Sequence, residues 1–201
     1  MSQKETGMRP VDRDRIATAF RESSGLFEAM AATMAGEVAL AASLLVDSLA
    51  QGGTLLCCGN GGGGKFYRKR PGLPAVALTV NSSMLTAIGN DFAYEEIFSR
   101  QVEALGRPGD VLLCITTSGN SKNVVLAARS ARAMGIRVIG LTGANGGALA
   151  EHCDRLLPVP STDTPRIQEG HIAIGHLLCE LVEERLFPEG SDAPRPGFTA
   201  G

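Results

Sequence analysis

The sequence predicts an α/β protein whose core is an open, five-stranded parallel sheet flanked by helices, with an N-terminal helical extension. Five short apolar runs are rich in β-branched residues and show no alternation with polar side chains. Such runs are typical of strands that are buried on both faces. Segments with helical spacing separate the runs, and this alternation favours parallel strands joined by helices. Two further helical patterns precede the first strand.

We assign residues 1–53 to the helical extension. Residues 11–34 and residues 36–50 each carry apolar side chains at roughly helical spacing. The small residues at 23–25 weaken the first pattern, and the two glycines at 52–53 end the second. We therefore expect two helices, which either cover the domain or join a bundle with other subunits.

The remaining elements alternate along the chain. The apolar runs predict strands at residues 54–58, 75–80, 110–115, 137–141 and 155–159. The periodic segments predict helices at residues 83–88, 92–105, 123–134, 148–152 and 164–186. Together these elements form a domain over residues 54–187. Residues 188–201 are rich in Pro and Gly, and we expect them to be a disordered tail.

Composition excludes several classes of function. The chain has 201 residues, 44% of them apolar, and a net charge of -2, which fits one domain with a full core plus an extension. The near-neutral charge argues against a nucleic-acid partner. We find no signal peptide and no apolar run approaching the roughly 18 residues of a membrane helix, so we expect no membrane. Five cysteines without zinc-finger spacing predict buried, reduced thiols in a cytoplasmic protein.

A turn rich in hydroxyl groups follows the third predicted strand. Its residues are Thr116, Thr117, Ser118, Gly119, Asn120 and Ser121. A strand end, a turn of small residues and a helix N-terminus together present free N–H groups and the positive end of the helix dipole. The hydroxyl groups add neutral donors. The turn therefore predicts a phosphate-binding site, with an ordinary strand-to-helix loop as the alternative.

The connection between the first two strands is too short for a normal crossover. Parallel neighbours need a crossover of about a dozen residues or more, usually helical. Here the connection contains four consecutive glycines at 61–64, and each disfavours a helix by about 1 kcal/mol. Either a bare loop joins the strands or residues are absent from the sequence. The basic residues of this loop are solvated or help to hold an anionic ligand; they are Lys65, Arg68, Lys69 and Arg70.

Six motifs occur in order along the chain. They are Cys58-Gly59-Asn60-Gly61-Gly62, Arg70-Pro71-Gly72-Leu73-Pro74-Ala75-Val76-Ala77-Leu78, Leu85-Thr86-Ala87-Ile88-Gly89-Asn90-Asp91, Phe98-Ser99-Arg100-Gln101-Val102, Thr117-Ser118-Gly119-Asn120-Ser121 and Arg166-Ile167-Gln168-Glu169. Over residues 15–187 the chain resembles the phosphoheptose isomerases of the SIS (sugar isomerase) fold. The resemblance implies isomerisation of sedoheptulose 7-phosphate to D-glycero-D-manno-heptose 7-phosphate, the first step toward the heptose of bacterial lipopolysaccharide and other surface glycans. It also implies a cytoplasmic homotetramer that binds zinc and has its active sites between subunits.

The same resemblance implies the residues of the site. Gln168 and His176 match two zinc ligands, and His176 is the expected catalytic residue. The implied substrate contacts are Asn60, Gly61, Gly62, Asn90, Asp91, Thr116, Thr117, Ser118, Ser121 and Gln168. From the residues alone, His176 is either a histidine packed in the core or a ligand or acid.

The spacing of the two ligands has a geometric consequence. Gln168 and His176 are eight residues apart, which is about 12 Å of helix rise. Zinc ligand atoms lie about 2 Å from the metal. We therefore predict that the Gln168 and His176 of one zinc site come from different subunits.

The sequence departs from the family pattern after Gly62. There the family carries a helix whose His and Glu are the other two zinc ligands, and the Glu is the proposed base. Here Gly63, Gly64 and Lys65 follow directly. Either the segment is left out of the sequence because it was not observed, or it is deleted. If it is deleted, no His or Glu replaces the lost pair, and isomerase activity is conditional on that helix. A smaller departure is Asn81, where the family usually has Asp.

A function of another class is a close alternative. One SIS relative is a non-catalytic tetrameric adaptor that binds the bacterial replication initiator, and it shares the Arg166–Glu169 motif. The adaptor has Asn at the position of His176 and Arg at the position of Ser118. This chain keeps His176 and Ser118, which favours the enzyme, whereas the missing helix favours the adaptor.

Overall fold

The computed structural model describes residues 10–59 and 70–188 of the chain. The strands are β1 (Leu55–Cys58), β2 (Ala75–Ala77), β3 (Val111–Ile115), β4 (Arg137–Gly143) and β5 (Arg155–Val159). The α-helices are α1 (Pro10–Ala50), α2 (Ser82–Asp91), α3 (Ser99–Leu105), α4 (Lys122–Ala133) and α5 (Thr164–Leu186). The five strands are parallel and lie in the order β2-β1-β3-β4-β5. This confirms the predicted fold class.

A separate apolar core lies on each face of the sheet. On one face, α1 and α5 cover strand residues such as Val111, Leu113 and Ile139. On the other face, α2, α3 and α4 cover the alternate residues, among them Leu112 and Val138. Because both faces of the central strands are buried, the strand sequences are apolar without alternation.

The N-terminal extension is one continuous helix of 41 residues, so the prediction of two helices is wrong. Tertiary contacts stabilise the weak point at Ser23. Its hydroxyl donates to Glu169 Oε2 at 2.8 Å, and Arg166 donates to Ala19 O at 2.7 Å. From Leu26 onward the helix shares a core with the sheet. These contacts outweigh the low helix propensity of Ser and Gly.

Three other predicted elements differ in extent. Residues 92–105 form a 3₁₀ turn at Tyr94–Glu96 and then α3, rather than one helix. The 148–152 segment is a 3₁₀ turn, Ala148–His152. The second strand ends at Ala77 instead of at residue 80, and all three of its residues are exposed, because β2 lies at the edge of the sheet. The predicted tail at 189–201 lies outside the described residues.

The returning end of the β1–β2 connection is held by a buried ion pair. Arg70 Nε lies 3.0 Å from Glu183 Oε1 near the end of α5, and the Glu183 side chain is only 2% exposed. The Arg70 guanidinium also lies 5.4 Å from the centre of the Phe187 ring, a cation–π distance. Arg70, one of the four basic residues of this connection, thus stabilises the fold. Lys65, Arg68 and Lys69 lie outside the described residues.

Two expectations from composition need correction. All five cysteines are free, as predicted, but Cys179 is exposed and only Cys58 and Cys114 are fully buried. By length and composition alone, α1 is apolar enough to cross a membrane, contrary to the expectation that no segment of the chain is. Core helices share this composition, and residues of α1 such as Met30 and Leu45 are buried against α5 and the sheet.

The buried ion pair gives the first testable prediction. Changing Glu183→Gln leaves the Arg70 charge without its carboxylate partner, so the free energy of unfolding should fall by about 3 kcal/mol. Urea denaturation measures this change. The matched control is Glu184→Gln, the neighbouring residue on the exposed face of α5, which should change stability by less than about 0.5 kcal/mol. Equal effects of the two substitutions would contradict a structural role for the pair.

Candidate functional site

The turn between β3 and α4 lies at the carboxyl edge of the sheet, where open parallel sheets bind ligands. Thr116 continues the β3 ladder by donating its N–H to Leu141 O at 3.0 Å. The hydroxyl groups of Thr116 and Ser121 lie 2.9 Å apart and link the two ends of the turn. Ser121 occupies the N-cap position of α4. The predicted strand, turn and helix start therefore occur together.

Gly119 allows the turn to pack tightly against the next loop. Its φ is +68°, a conformation that favours glycine, and a Cβ there would lie 2.0 Å from Gly146 O. Two hydrogen bonds fix this contact: Leu149 N–H donates to Gly119 O and Ala148 N–H to Asn120 Oδ1, both at 2.9 Å. The turn is thus held in shape before any ligand binds.

The turn presents donors to an anion. Asn120 N–H donates to Ser118 Oγ at 3.1 Å, which curls the backbone. The amide N–H groups of Ser118, Gly119 and Ser121 make no hydrogen bond to the rest of the described chain. Together with the start of α4, these groups form an anion-binding concavity. A phosphate group fits this chemistry.

A cavity of about 1350 Å³ opens beside this turn. Its polar lining includes Thr116, Thr117, Ser121 and Gln168, four of the residues predicted to contact substrate. The turn contributes hydroxyl groups to the lining, and α5 contributes Gln168. The structure therefore brings the proposed phosphate group and one proposed sugar contact to the same cavity.

The other predicted residues lie apart from this cavity. Asn90 and Asp91 are exposed at the end of α2, where Asn90 Nδ2 donates to Asp91 Oδ1 at 2.9 Å. Ser118 is exposed on the outer side of the turn, and His176 is exposed on α5. None of these four residues lines the cavity of the same chain. Asn60, Gly61 and Gly62 lie outside the described residues.

The structure also adds residues that the sequence did not single out. Lys122, the first residue of α4, and Glu95 both line the cavity, and their charged groups lie 3.9 Å apart. The position of Lys122 directly after Ser121 is a signal that sequence inspection could have used. Asn81, the departure from the family Asp, caps α2 by accepting from Met84 N–H at 3.1 Å.

His171 lines the cavity from the buried side of α5. Its Nε2 lies 3.1 Å from Thr142 O. Burial lowers the pKa of His171, and the bond to the Thr142 carbonyl opposes this shift. The imidazole is therefore neutral at pH 7 and is tied to β4.

The two residues predicted to bind zinc do not form a metal site within one chain. Gln168 lines the cavity, whereas His176 lies about two turns further along α5 and faces away from it. Within residues 10–59 and 70–188, no group of three or more His, Cys, Asp or Glu side chains could hold a metal ion. The donor set of these described residues does not fit zinc within one chain.

Comparison with known proteins identifies the family. Residues 20–143 match the SIS domain model. The phosphoheptose isomerase of Geobacter sulfurreducens is 51% identical over 187 residues, covering 87% of this chain and 99% of the relative. That of Rhodospirillum rubrum is 53% identical over 161 residues, covering 74% of this chain and 86% of the relative. A solved phosphoheptose isomerase from Francisella tularensis superposes with a TM-score of 0.82 at 38% identity, covering 86% of this chain and 98% of that one.

This chain belongs to the phosphoheptose isomerase family. Members are sugar-phosphate isomerases with the SIS fold, and the resemblance seen in the motifs is confirmed. The alignment with the Geobacter sulfurreducens isomerase also bears on the short connection. It runs over 187 residues, whereas 87% of this 201-residue chain is about 175 residues, so about 12 positions have no counterpart here. That number matches the helix missing after Gly62.

The full sequence has 201 residues and runs through this region without a break. The continuous sequence therefore favours a deletion over a segment that was present but unobserved. The chain has the hydroxyl-rich turn at 116–121, and Gly63, Gly64 and Lys65 follow Gly62 directly.

The packing of Gly119 generates a second prediction. Gly119→Ala should lower the free energy of unfolding by more than about 3 kcal/mol, since it adds a backbone clash to the cost of about 1–2 kcal/mol for a non-glycine residue at positive φ. The control is Gly135→Ala, which has a similar φ of +74° but places the added Cβ at an ordinary van der Waals distance, 3.6 Å from Pro108 Cβ. Urea denaturation of both variants separates the clash from the φ effect. A similar loss in both would contradict the close contact with Gly146.

Proposed function

We propose that this chain binds sedoheptulose 7-phosphate and isomerises it to D-glycero-D-manno-heptose 7-phosphate, the first step toward the heptose of bacterial surface glycans. Relatives named phosphoheptose isomerase that match at about half identity over most of the chain support this substrate. The identity of the sugar rests on those names, and the phosphate rests on the geometry of the site.

The observation that carries the proposal is that Thr116, Thr117 and Ser121 of the turn line one cavity together with Gln168. The 7-phosphate lies against the N–H groups and hydroxyls of the turn, with Lys122 close by. The sugar then extends toward α5, where the Gln168 amide donates to and accepts from its hydroxyl groups. Asn60, Gly61, Gly62, Asn90 and Asp91 remain proposed contacts to the same ligand.

The reaction moves a proton between two adjacent carbons through an enediol-like state and needs an acid and a base. We assign His176 to proton transfer, because the family resemblance implies it as the catalytic residue and an imidazole can act as an acid or a base. In one chain this residue lies away from the cavity, so it acts on the substrate bound by a neighbouring subunit. The base that the family carries after Gly62 is missing, and turnover should be slower than in relatives by about 100-fold or more.

We further propose a homotetramer with its sites between subunits. Exposed apolar side chains on α1 and α5 support this arrangement, among them Phe20, which is 72% exposed, and Leu177, which is 47% exposed. Asn90, Asp91 and His176 are also exposed in the single chain. Residues that contribute to the site of a neighbouring subunit must be exposed before assembly. The family resemblance supports the number four.

Three further parts of the proposal concern location and partners. We place the protein in the cytoplasm, where its five free thiols stay reduced. We expect no nucleic-acid partner, because the net charge is -2. We also expect no membrane contact, because the buried residues of α1 pack on α5 and the sheet.

A second candidate function is the non-catalytic adaptor that binds a replication initiator. The absence of the helix after Gly62 favours it, because that helix carries the family's proposed base. Ser118 and His176 favour the isomerase. The two candidates differ in one observable, which is conversion of bound sugar phosphate.

The proposed function predicts both turnover and its dependence on the turn. Incubation with sedoheptulose 7-phosphate should yield the heptose 7-phosphate, detected by NMR. Thr117→Val removes a cavity-lining hydroxyl while keeping its shape, and losing a hydrogen bond to a charged phosphate should raise KM about tenfold or more. Thr33→Val, on the exposed face of α1, should leave KM unchanged. Binding without conversion would exclude the isomerase and leave the adaptor.

The proposed assembly gives a separate prediction. Phe20→Glu with Leu177→Glu places charges in the exposed apolar faces of α1 and α5, so the tetramer should dissociate into smaller species in sedimentation experiments. The control is Leu105→Glu, an equally exposed leucine on α3, which should leave the mass unchanged. A tetramer that survives the double change would place the interface elsewhere.

A further inference from the structure

We propose that this chain binds its sugar phosphate without zinc: it retains the phosphate half of the family site and has lost the metal half. The proposal rests on the proposed function for the identity of the sugar phosphate. The loss of the metal half rests on the donor atoms that this chain can supply.

The family's zinc site needs ligands from two helices, one of which is missing here. Zinc in proteins takes four ligands in structural sites and three protein ligands plus water in catalytic sites. The family set consists of a Gln and a His on the last helix, here Gln168 and His176, and a His and a Glu on the helix that is missing. The shortened connection at 60–69 reads Asn-Gly-Gly-Gly-Gly-Lys-Phe-Tyr-Arg-Lys and contains no His, Cys, Asp or Glu.

The other histidines of the chain do not replace the missing zinc ligands. The whole chain has three: His152, His171 and His176. His171 is buried and its Nε2 is engaged by Thr142 O at 3.1 Å. His152 lies on the 3₁₀ turn Ala148–His152 and does not line the cavity. His176 is therefore left as the histidine that an ion at this site could use.

Glu95, the carboxylate that lines the cavity, lies 3.9 Å from the Lys122 ammonium group, and two carboxylates of α5 also have partners. Glu169 is bonded to Ser23 at 2.8 Å and to Arg166 at 3.0 Å, and Glu183 is paired with Arg70. Three cysteines also line the cavity, Cys57, Cys58 and Cys179, and the buried Cys58 thiol is bonded to Cys114 Sγ at 3.6 Å. Burial raises the pKa of Cys57 to about 12 and also raises that of Cys179. These thiols are protonated at pH 7, whereas zinc binds the thiolate.

Association of subunits does not restore a complete set of zinc ligands. Gln168 and His176 are separated by about 12 Å of helix, so an ion that used both would lie between two subunits. Each ion would then receive one residue from each subunit, two in total, which is fewer than the three of a catalytic zinc site.

The phosphate half does not depend on the missing helix. The turn is anchored by Leu141 on β4 and by the loop at 146–149, all on the far side of β3 from β1. The anion contacts come from backbone N–H groups, hydroxyls and Lys122. Deletion after Gly62 therefore removes metal ligands and leaves the phosphate-binding groups in place.

The test measures zinc and sugar phosphate separately on the full-length protein. Zinc content is measured by inductively coupled plasma mass spectrometry after zinc-supplemented expression, with the Geobacter sulfurreducens relative prepared in parallel. We expect far less than one zinc per chain, and no change in melting temperature on adding ZnCl₂ or EDTA. Sedoheptulose 7-phosphate and inorganic phosphate should each raise the melting temperature equally with and without EDTA.

A gain-of-function variant sharpens the test. Inserting the corresponding helix of the relative after Gly62 should bring in one zinc per site, and adding His176→Ala to that variant should remove it. About one zinc per chain in the unmodified protein, lost on Gln168→Ala or His176→Ala, would overturn the proposal. Absence of stabilisation by both phosphate ligands in zinc-free protein would overturn the phosphate half and the proposed function with it.

Discussion

Two adjacent parallel strands have to be joined by a chain that returns along the sheet, and here only residues 59–74 make that return. This constraint governs the rest of the molecule. Four consecutive glycines in this connection disfavour a crossover helix. β2 is exposed at the edge of the sheet, and the cavity extends along β1 as far as Arg70, the partner of Glu183.

The same connection bears on the two parts of the proposed site. The proposed phosphate-binding turn is built from β3, α4 and the loop after β4, and its described bonds join these elements. The proposed metal ligands would be divided between α5 and the helix that the family pattern places after Gly62. A deletion there would remove metal ligands and spare the turn. Binding depends on local backbone geometry, whereas the metal site depends on side chains from distant segments.

The N-terminal helix shows where local sequence rules fail. The small residues at 23–25 predict a break, because Ser and Gly have low helix propensity. The helix nevertheless continues, since Ser23 is bonded to Glu169 and Arg166 to Ala19, contacts between residues far apart in the sequence. Cys179 is a similar case: its apolar neighbours predict burial, yet its position on α5 leaves it exposed.

The sequence alone determined the alternation of five strands with helices and the position of the hydroxyl-rich turn at 116–121, because each depends on local periodicity or on which residues are present. Only the tertiary structure decided which residues share a cavity. It places Thr116, Thr117, Ser121 and Gln168 together and turns His176 and Asp91 outward. The direction in which a helix presents its side chains depends on packing against distant elements, and no local pattern encodes that packing.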